Sequence, residues 1–568
     1  MADGSHAFNF PPPQLSALRV GEIVVDLFAG GGGASEALKQ ALGVDPTLAY
    51  NHDEWAIGMH AANHPLTSHH REDIWHADPR VDVAGRRVGW FHASPDCTHF
   101  SQAKGGQPRN GKIRALSWVV LKWAGQLGRV GNAPRIISME NVWQILTWGP
   151  LVAKRCKNTG LVLKLDGSVA EKGERVPVEN QQLVPDKRHS GRTWDQFVAG
   201  LRALGYAVEW RKLVAADFGA GTSRERLFLI ARRDGEPIVW PEPTHGPGRA
   251  KPYVAAAECI DFSDLGRSIF DRPRPLADAT MRRIAKGLVK HVLEADEPFF
   301  LTEFANASNG RTWSGLEPLR TQCAGVKGGH FAVLSVHVTA MAQNVIGYDA
   351  RKPLPTVLAG AARFGVVAAF LEQACSGYYT GAGQDLRKPA PTICAKGSIQ
   401  RLVAVELEKR RCAGCGTCAP APGCGDLCRD CWETYDPELR ASLTAEQKAG
   451  ALRVAAFLVN YYGNGTALDV RDPLDTVTTR DRMALVTVHL HGVPYVITDI
   501  RLRMLKPAEL FAAQGFPRSY IIDRTADGRP ITTTAAVRMV GNSVSPPPLR
   551  AIAAANLDTA QIITRRAA

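Results

Sequence analysis

The chain has 568 residues, 45% of them hydrophobic and 22% charged, with 68 Lys and Arg against 55 Asp and Glu for a formal charge of +13. That balance belongs to a globular protein with a substantial core; it excludes a fibrous repeat or wholesale disorder, and the length suggests roughly two to four structural units. The positive charge permits a polyanionic partner without identifying one.

No apolar run approaches the roughly 20 residues that span a bilayer. The opening MADGSHAFNFPPPQ has neither the basic flank nor the apolar run of a secretory signal, so a soluble intracellular protein with no membrane partner is expected. Of the 12 cysteines, six are scattered singly and six crowd between Cys412 and Cys431. A reducing compartment leaves the first set as thiols and reserves the second for metal.

From Glu22 to Leu42, EIVVDLFAGGGGASEALKQAL predicts a strand, a tight glycine turn and a helix. Gly30 to Gly33 let the backbone take up positive φ and approach a ligand closely. NAD, FAD and S-adenosylmethionine (SAM) folds all use such a turn, and some such turns merely pack a helix on a strand. A second strand ends near Tyr50, and Asn51, Asp53 and Asp73 close successive strand-like segments. In an open α/β sheet such positions share one crevice, which makes these residues candidates for ribose and adenine contacts; capping a helix is the bland alternative.

The next strand, VGWFHASPDCTHFS, delivers Cys97 after Pro95 at a strand end. Beyond it, seven Lys and Arg and no acid lie between Asp96 and Glu140, so a thiol adjoins a glycine-rich basic loop. A lone cysteine is usually an inert small hydrophobe, yet this setting stabilises a thiolate and suits phosphates. The strand RIISMENVWQIL then ends in Glu140 and Asn141, an acid placed to face Cys97. Residues 151–190 read as a polar hairpin excursion without an evident purpose. SRERLFLIARR, which contains Arg224 and Arg226, reads on its own as a buried strand flanked by surface ion pairs.

In the middle, Pro-x-x-Thr cores begin at Pro318, Pro353, Pro389 and Pro473, at spacings of 35, 36 and 84 residues. Short β-rich units fit the first two spacings, with strands such as ARFGVVAAF and RMALVTV. The excess in the third spacing contains the crowded cysteines. Cys412, Cys415, Cys428 and Cys431 form two C-x2-C pairs, with Cys418 and Cys424 between them as alternates or as part of a second ion. Structural zinc is the expected occupant; an iron-sulfur cluster and unmetallated thiols or disulfides are the alternatives. Near the C-terminus, RLRMLKPAELFAAQGFPRSYII reads as an amphipathic helix, and GNSVSPPPLRAIAAANL as another that starts after Gly541 and Asn542.

DLFAGGGGAS, SPDCTHFSQAKGG, MENV, FGAGTSRERLFLIA and GNSVSPPP, in this order, resemble the successive motifs of the C5-cytosine DNA methyltransferases, most closely the larger phage and bacterial forms. The resemblance implies an α/β, Rossmann-like SAM-dependent methyltransferase domain at 1–245. It further implies a β-rich target-recognition domain at 246–495, with a Cys-rich insertion at about 407–450, and a segment at 496–568 that returns to the catalytic domain. By the same resemblance Cys97 adds to cytosine C6, and Glu140 holds the exocyclic amine and N3. Arg224 lies beside the site and Arg226 binds the base O2. Phe28, Ala29, Gly30 and Gly32 match the glycine motif, Asp73 matches the adenine-contacting acid, and Asn542 and Ser543 close the SAM site.

The implied partner is double-stranded DNA, whose target cytosine must be flipped out of the helix. A monomer is expected, in a bacterial cytoplasm or that of a phage's host, with restriction–modification as a setting. Three residues depart from the family pattern. Asn51 stands where an acid usually meets the ribose, leaving Asp53 or a weaker amide contact. Asp96 replaces the second proline before the nucleophile and would raise the thiol pKa unless it points away. Thr222 replaces a glutamine. An RNA cytosine methyltransferase and a catalytically silent DNA-binding homologue are the alternatives. An NAD-linked oxidoreductase explains the glycines but not Cys97, Glu140 and Arg226 together.

Overall fold

The structure, a computed structural model, describes residues 14, 16–96, 99–100, 111–261, 264, 267–276, 281, 284–285, 453–454 and 499–557, together with the backbone of the strands between 300 and 498. Cys97 and the six crowded cysteines lie outside the described residues.

The Val- and Ile-rich run Glu22–Leu27 forms β1, buried on both faces as central parallel strands are. It leads through the glycine turn into α1 (Gly33–Leu42), and the chain continues through β2 (Leu48–Tyr50), α2 (Glu54–Asn63), β3 (Ser68–His70), α3 (Pro79–Val83) and β4 (Arg87–Ala93). A short α4 (Gly111–Arg114) precedes α5 (Trp118–Arg129) and β5 (Ile136–Asn141). The excursion contributes a small hairpin, β6 (Leu151–Ala153) with β7 (Leu183–Pro185). The domain then resumes with α6 (Arg192–Ala203), β8 (Ala207–Val214), β9 (Thr222–Ser223) and β10 (Glu225–Arg232).

Seven of these strands form one sheet in the order β3-β2-β1-β4-β5-β10-β8, parallel from β3 to β5 with β10 antiparallel to both its neighbours. The chain turns from β1 outward to β2 and β3, then crosses back to β4. The ligand crevice of such a sheet therefore lies at the carboxyl ends of β1 and β4. Trp123 of α5 and Phe197 and Leu201 of α6 cover one face over Val25, Phe91 and Leu229. Leu38 and Leu42 of α1 cover the other over Val24, Trp90 and Phe228.

A second sheet has nine strands: β11 (Arg267–Ser268), β12 (Phe300–Thr302), β13 (Thr312–Ser314), β15 (Ala332–Val333), β16 (His337–Met341), β17 (Arg363–Gln373), β18 (Gln400–Lys409), β19 (Thr487–Leu490) and β20 (Val493–Met504). All but the first residue of the expected strand ARFGVVAAF lies within β17. β14 (Leu319–Arg320), from the first Pro-x-x-Thr segment, pairs instead with Thr222 and Ser223 of β9. The other three Pro-x-x-Thr cores lie outside the described residues. After β20 come α7 (Pro507–Ala513), α8 (Thr533–Asn542) and α9 (Pro546–Ala555), the last packing Leu549 and Ile552 onto the α1 face of the first sheet.

One sequence expectation is corrected here. RLRMLKPAELFAAQG is not one helix, because Arg501–Met504 belongs to β20 and only Pro507–Ala513 is helical. Ile500 and Leu502 are buried while Arg501 and Arg503 alternate with them, a period of two, and proline then opens the helix. The last helix does start after Gly541 and Asn542, at Pro546, where missing N–H groups cost nothing; Gly541 and Asn542 themselves end α8. Among the described residues no helix is long and apolar enough to cross a membrane.

One buried row underlies the glycine turn. Asp26, His92 and Ser138 stand side by side across β1, β4 and β5, and all three are almost wholly buried. Burial pushes the Asp26 carboxyl up to about 7 against its bond from Ser35, and burial takes His92 down to about 3. Asp26 thus holds a proton and His92 none. The folded row binds one proton between about pH 4 and 6.5, as the unfolded pair does, and the two linkages offset. Removing one partner exposes the other. Relative to the native protein, Asp26→Asn should gain stability as pH rises through that window, and His92→Gln should lose it, each at about 1.4 kcal/mol per pH unit. Urea unfolding across pH checks this; parallel curves for all three proteins would refute it.

Candidate active site at the carboxyl edge of the sheet

The turn after β1 is built in left-handed backbone at Phe28 (φ 62°), Gly30 (55°) and Gly32 (94°). A bulky residue with positive φ is uncommon and marks a constrained position. Phe28 is held there by neighbours on both sides: Ala29 N–H donates to Tyr50 O at 3.0 Å, and Ser94 Oγ donates to Phe28 O at 3.3 Å.

The glycines also serve a purpose that the sequence did not suggest. A Cβ on Gly32 would lie 2.1 Å from the Tyr520 hydroxyl, and one on Gly33 would lie 2.1 Å from both Ser543 Oγ and Val544 O. Tyr520 also donates to Gly31 O at 2.7 Å. The C-terminal segment therefore rests directly on the turn, and Gly32 and Gly33 make room for protein rather than only for a ligand. Ser543 is buried against the turn, whereas Asn542 is exposed at the end of α8.

Each acid or amide at the strand ends has local duties. Asn51 Oδ1 accepts from Asp53 N–H at 2.8 Å, and Asp73 Oδ1 accepts from Trp75 N–H at 3.0 Å. Asp53 caps α2 by accepting from Ala56 N–H at 3.0 Å, and its other oxygen pairs with Arg538 at 2.6 Å. Both Asp53 oxygens are thus engaged, while Asn51 and Asp73 each keep a polar atom outside these turns.

Glu140 closes β5 with its carboxylate almost buried, 3.2 Å from Arg226 Nε and 3.7 Å from Arg224 Nη2. β10 puts Phe228 opposite Glu140, so both arginines leave this strand and the turn before it toward the carboxylate. Arg224 also donates to Gly541 O at 3.1 Å, tying the pair to the end of α8. Glu140 Oε1 has no aligned hydrogen bond among the described residues, so it is held by charge with its acceptor capacity unspent. Next to it, Asn141 Nδ2 donates to Pro95 O at 3.0 Å, fastening the turn that leads to Cys97 against the end of β5. Asp96 is exposed, and Thr222 is buried in β9.

Beneath the cradle runs a hydrogen-bonded chain the sequence reading missed. Ser35 Oγ donates to Asp26 at 2.6 Å, His60 Nε2 meets Ser35 Oγ at 2.8 Å, and His60 Nδ1 meets His69 Nε2 at 2.8 Å. His60 is fully buried, and burial, then the nearby His64, hold its pKa well below the usual range. The available signal was two histidines four apart, at 60 and 64, on one helix face. Among the described residues, His70, Glu72 and Asp82 bring potential ligand atoms within 4.8 Å of one another near the edge strand.

An open, mainly parallel sheet whose carboxyl edge gathers these groups is the Rossmann-like architecture of the SAM-dependent methyltransferases. Within that class, the family model for C-5 cytosine-specific DNA methylases matches residues 23–150, 175–282 and 434–557, and the chain belongs to this family. Among its relatives, the Type II methyltransferase M.SacI of Streptomyces achromogenes is 33% identical over 102 residues, 18% of this chain and 26% of that protein. M.AgeI of Thalassovita gelatinovora, also a Type II methyltransferase, is 26% identical over 275 residues, 47% of this chain and 51% of that protein. The Type II methyltransferase M.AquIA of Picosynechococcus is 26% identical over 254 residues, 42% of this chain and 87% of that protein. The chain thus spans about a quarter and a half of the first two relatives.

The buried Glu140–Arg226 pair makes a measurable claim. Arg226→Ala should cost roughly 3–5 kcal/mol, because a buried carboxylate loses its nearest cation, whereas Arg226→Met with Glu140→Gln should cost less than that single change. Denaturant unfolding of the three proteins decides it; additive losses would show that the two side chains do not depend on each other.

Proposed function

We propose that the protein transfers a methyl group from SAM to C5 of a cytosine flipped out of double-stranded DNA, through a covalent bond from Cys97 to C6. One observation carries the reading: Glu140, gripped by Arg224 and Arg226, is followed on β5 by Asn141, which fastens the Pro95 carbonyl two residues before Cys97.

C5 of cytosine is a poor nucleophile until a thiolate adds at C6. Cys97 Sγ forms that bond, and the displaced electron pair passes toward C5 and N3. Glu140 meets N3 and the exocyclic amine and supplies or shares the proton that offsets this charge. Arg226 donates to the base O2 and Arg224 holds Glu140 in place. Loss of the C5 proton to a base and departure of Sγ with its electron pair restore the aromatic ring and the thiolate. SAM, when bound, supplies the electrophilic methyl.

The crevice residues fit an adenosine-bearing cofactor. Phe28, Ala29, Gly30 and Gly32 form the turn at the end of β1, and Ser543 closes it, with Asn542 beside. Asp73 keeps one carboxylate oxygen for the adenine amine. With both Asp53 oxygens engaged, the Asn51 amide is the group left for the ribose hydroxyls.

The catalytic unit is residues 1–245 with the return segment 496–568, and residues 246–495 read the DNA sequence. A zinc ion held by Cys412, Cys415, Cys428 and Cys431, with Cys418 and Cys424 as alternates, rests on spacing. Purified protein should contain zinc by elemental analysis, and its absence would remove that part of the reading. A monomer acting in the cytoplasm on its own host's or a phage's DNA is the simplest setting.

Bisulfite sequencing of plasmid from cells that express the protein should show protected cytosines at one sequence, and Cys97→Ala should abolish them. Protection by both proteins, or by neither, would overturn the mechanism. A SAM-dependent covalent adduct with 5-fluorocytosine DNA, trapped because fluorine does not leave as a proton does, should accompany activity. An adduct with RNA alone would favour the RNA enzyme, and SAM-independent DNA binding without methylation would favour the silent homologue.

A further inference from the structure

The excursion of residues 151–190 leaves the domain beyond the carboxyl end of β5, the edge that carries Glu140, and returns at the start of α6. The family model stops matching at 150 and resumes at 175, so most of the excursion is an addition to the shared fold. It is an ordered meander. β6 pairs with β7, and isolated bridges join Arg155 to Val162, Leu163 to Val169 and Lys164 to Gln181.

Its base is fixed beside the turn that follows Cys97. The buried Arg114 guanidinium donates to His99 O and to Gly149 O, each at 3.2 Å, and lies 4.5 Å over the Phe100 ring. Asp186 N–H donates to Pro150 O at 3.0 Å, and a Cβ on Gly149 would lie 2.2 Å from His189 O, so the two legs of the excursion touch there. One buried arginine therefore links the turn at His99 and Phe100 to the foot of the addition.

The charges on it are unbalanced. Arg155, Lys157, Lys172, Arg175, Lys187 and Arg192 are exposed and make no ion pair among the described residues. The acids are mostly engaged: Glu174 pairs with Lys164 at 2.6 Å, Asp186 with Arg188 and His189 at 3.0 Å, and Asp166 accepts from Ser168 at 2.7 Å. Counted by ion pairs, that leaves Asp166, Glu171 and Glu179 against six unpaired cations. Such a surface repels itself unless a polyanion meets it, and flexible exposed Lys and Arg are suited to phosphates rather than to base edges.

We propose that residues 151–192 form a second DNA-backbone clamp, which grips duplex phosphates on the Cys97 side of the site and takes no part in reading sequence. The proposal rests on the DNA methyltransferase reading. The test uses the full-length protein with Arg155→Gln, Lys157→Gln, Lys172→Gln and Arg175→Gln combined. Affinity is measured by fluorescence anisotropy over a salt series, for a duplex that carries the methylated sequence and for a scrambled one, with SAM binding as control.

The salt slope should fall by about 0.9 for each phosphate that the variant no longer neutralises. Binding should weaken roughly tenfold or more at low salt and converge with the native protein at high salt, as screening removes the difference. The preference for the methylated sequence over the scrambled one and SAM binding should stay unchanged. If the combined variant melts early, Arg155→Gln and Lys172→Gln alone should each still lower the slope. An unchanged slope overturns the clamp while native DNA binding upholds the enzyme reading, and a lost sequence preference overturns the division between gripping and reading. Native protein that binds no duplex at all overturns both.

Discussion

The close approach of the C-terminal segment to the first glycine turn is the constraint on which the rest of this edge depends. Tyr520 donates to Gly31 O, Ser543 and Val544 occupy the space in which a Gly33 side chain would lie, and Arg224 reaches Gly541 O while it faces Glu140. Residues more than 480 positions apart thereby make one wall, because Gly31 and Tyr520 differ by 489 in sequence. Any side chain on Gly32 or Gly33 would collide with this wall before it met a ligand. The glycine turn is thus a packing requirement as well as the proposed ligand cradle.

Around that wall the polar groups are arranged in depth. The deepest layer is the row of Asp26, His92 and Ser138 between the sheet and the α1 face, connected through Ser35 and His60 to His69 nearer solvent. Burial keeps Asp26 protonated below about pH 7 and His92 neutral, so in that range the row carries no net charge. Above it, Glu140 faces Arg226 on the antiparallel β10 and Arg224 just before that strand. The order of strands brings these opposite charges together, since β10 lies beside β5 although the excursion, α6 and β8 intervene in the chain.

The same edge extends outward by way of Arg114, which joins the turn after Cys97 to the foot of the added meander. Part of the charge of +13, uninformative as a bulk figure, lies in the six exposed cations of this meander that make no ion pair among the described residues.

Much of this was legible in the residues. The alternation from strand to glycine turn to helix, the placement of Glu140 at a strand end, the buried strand after Arg224 and the β-rich middle follow from local pattern, because backbone sterics and burial act over a few residues at a time. The five ordered motifs carried the family. What local pattern misread was the stretch from Arg501, where Ile500 and Leu502 are buried by strands far away in sequence and a two-residue period displaces the helix expected. Nor could it assign partners: that Asp53 is consumed by a cap and by Arg538, that Gly33 faces Ser543, and that Asp26 stands beside His92 are decided by register and chain return. The sequence by itself determined which chemistry-bearing residues exist and which elements carry them. Only the tertiary structure decided which of them meet, because hydrogen bonds and ion pairs act over a few ångströms between residues that the chain order keeps apart.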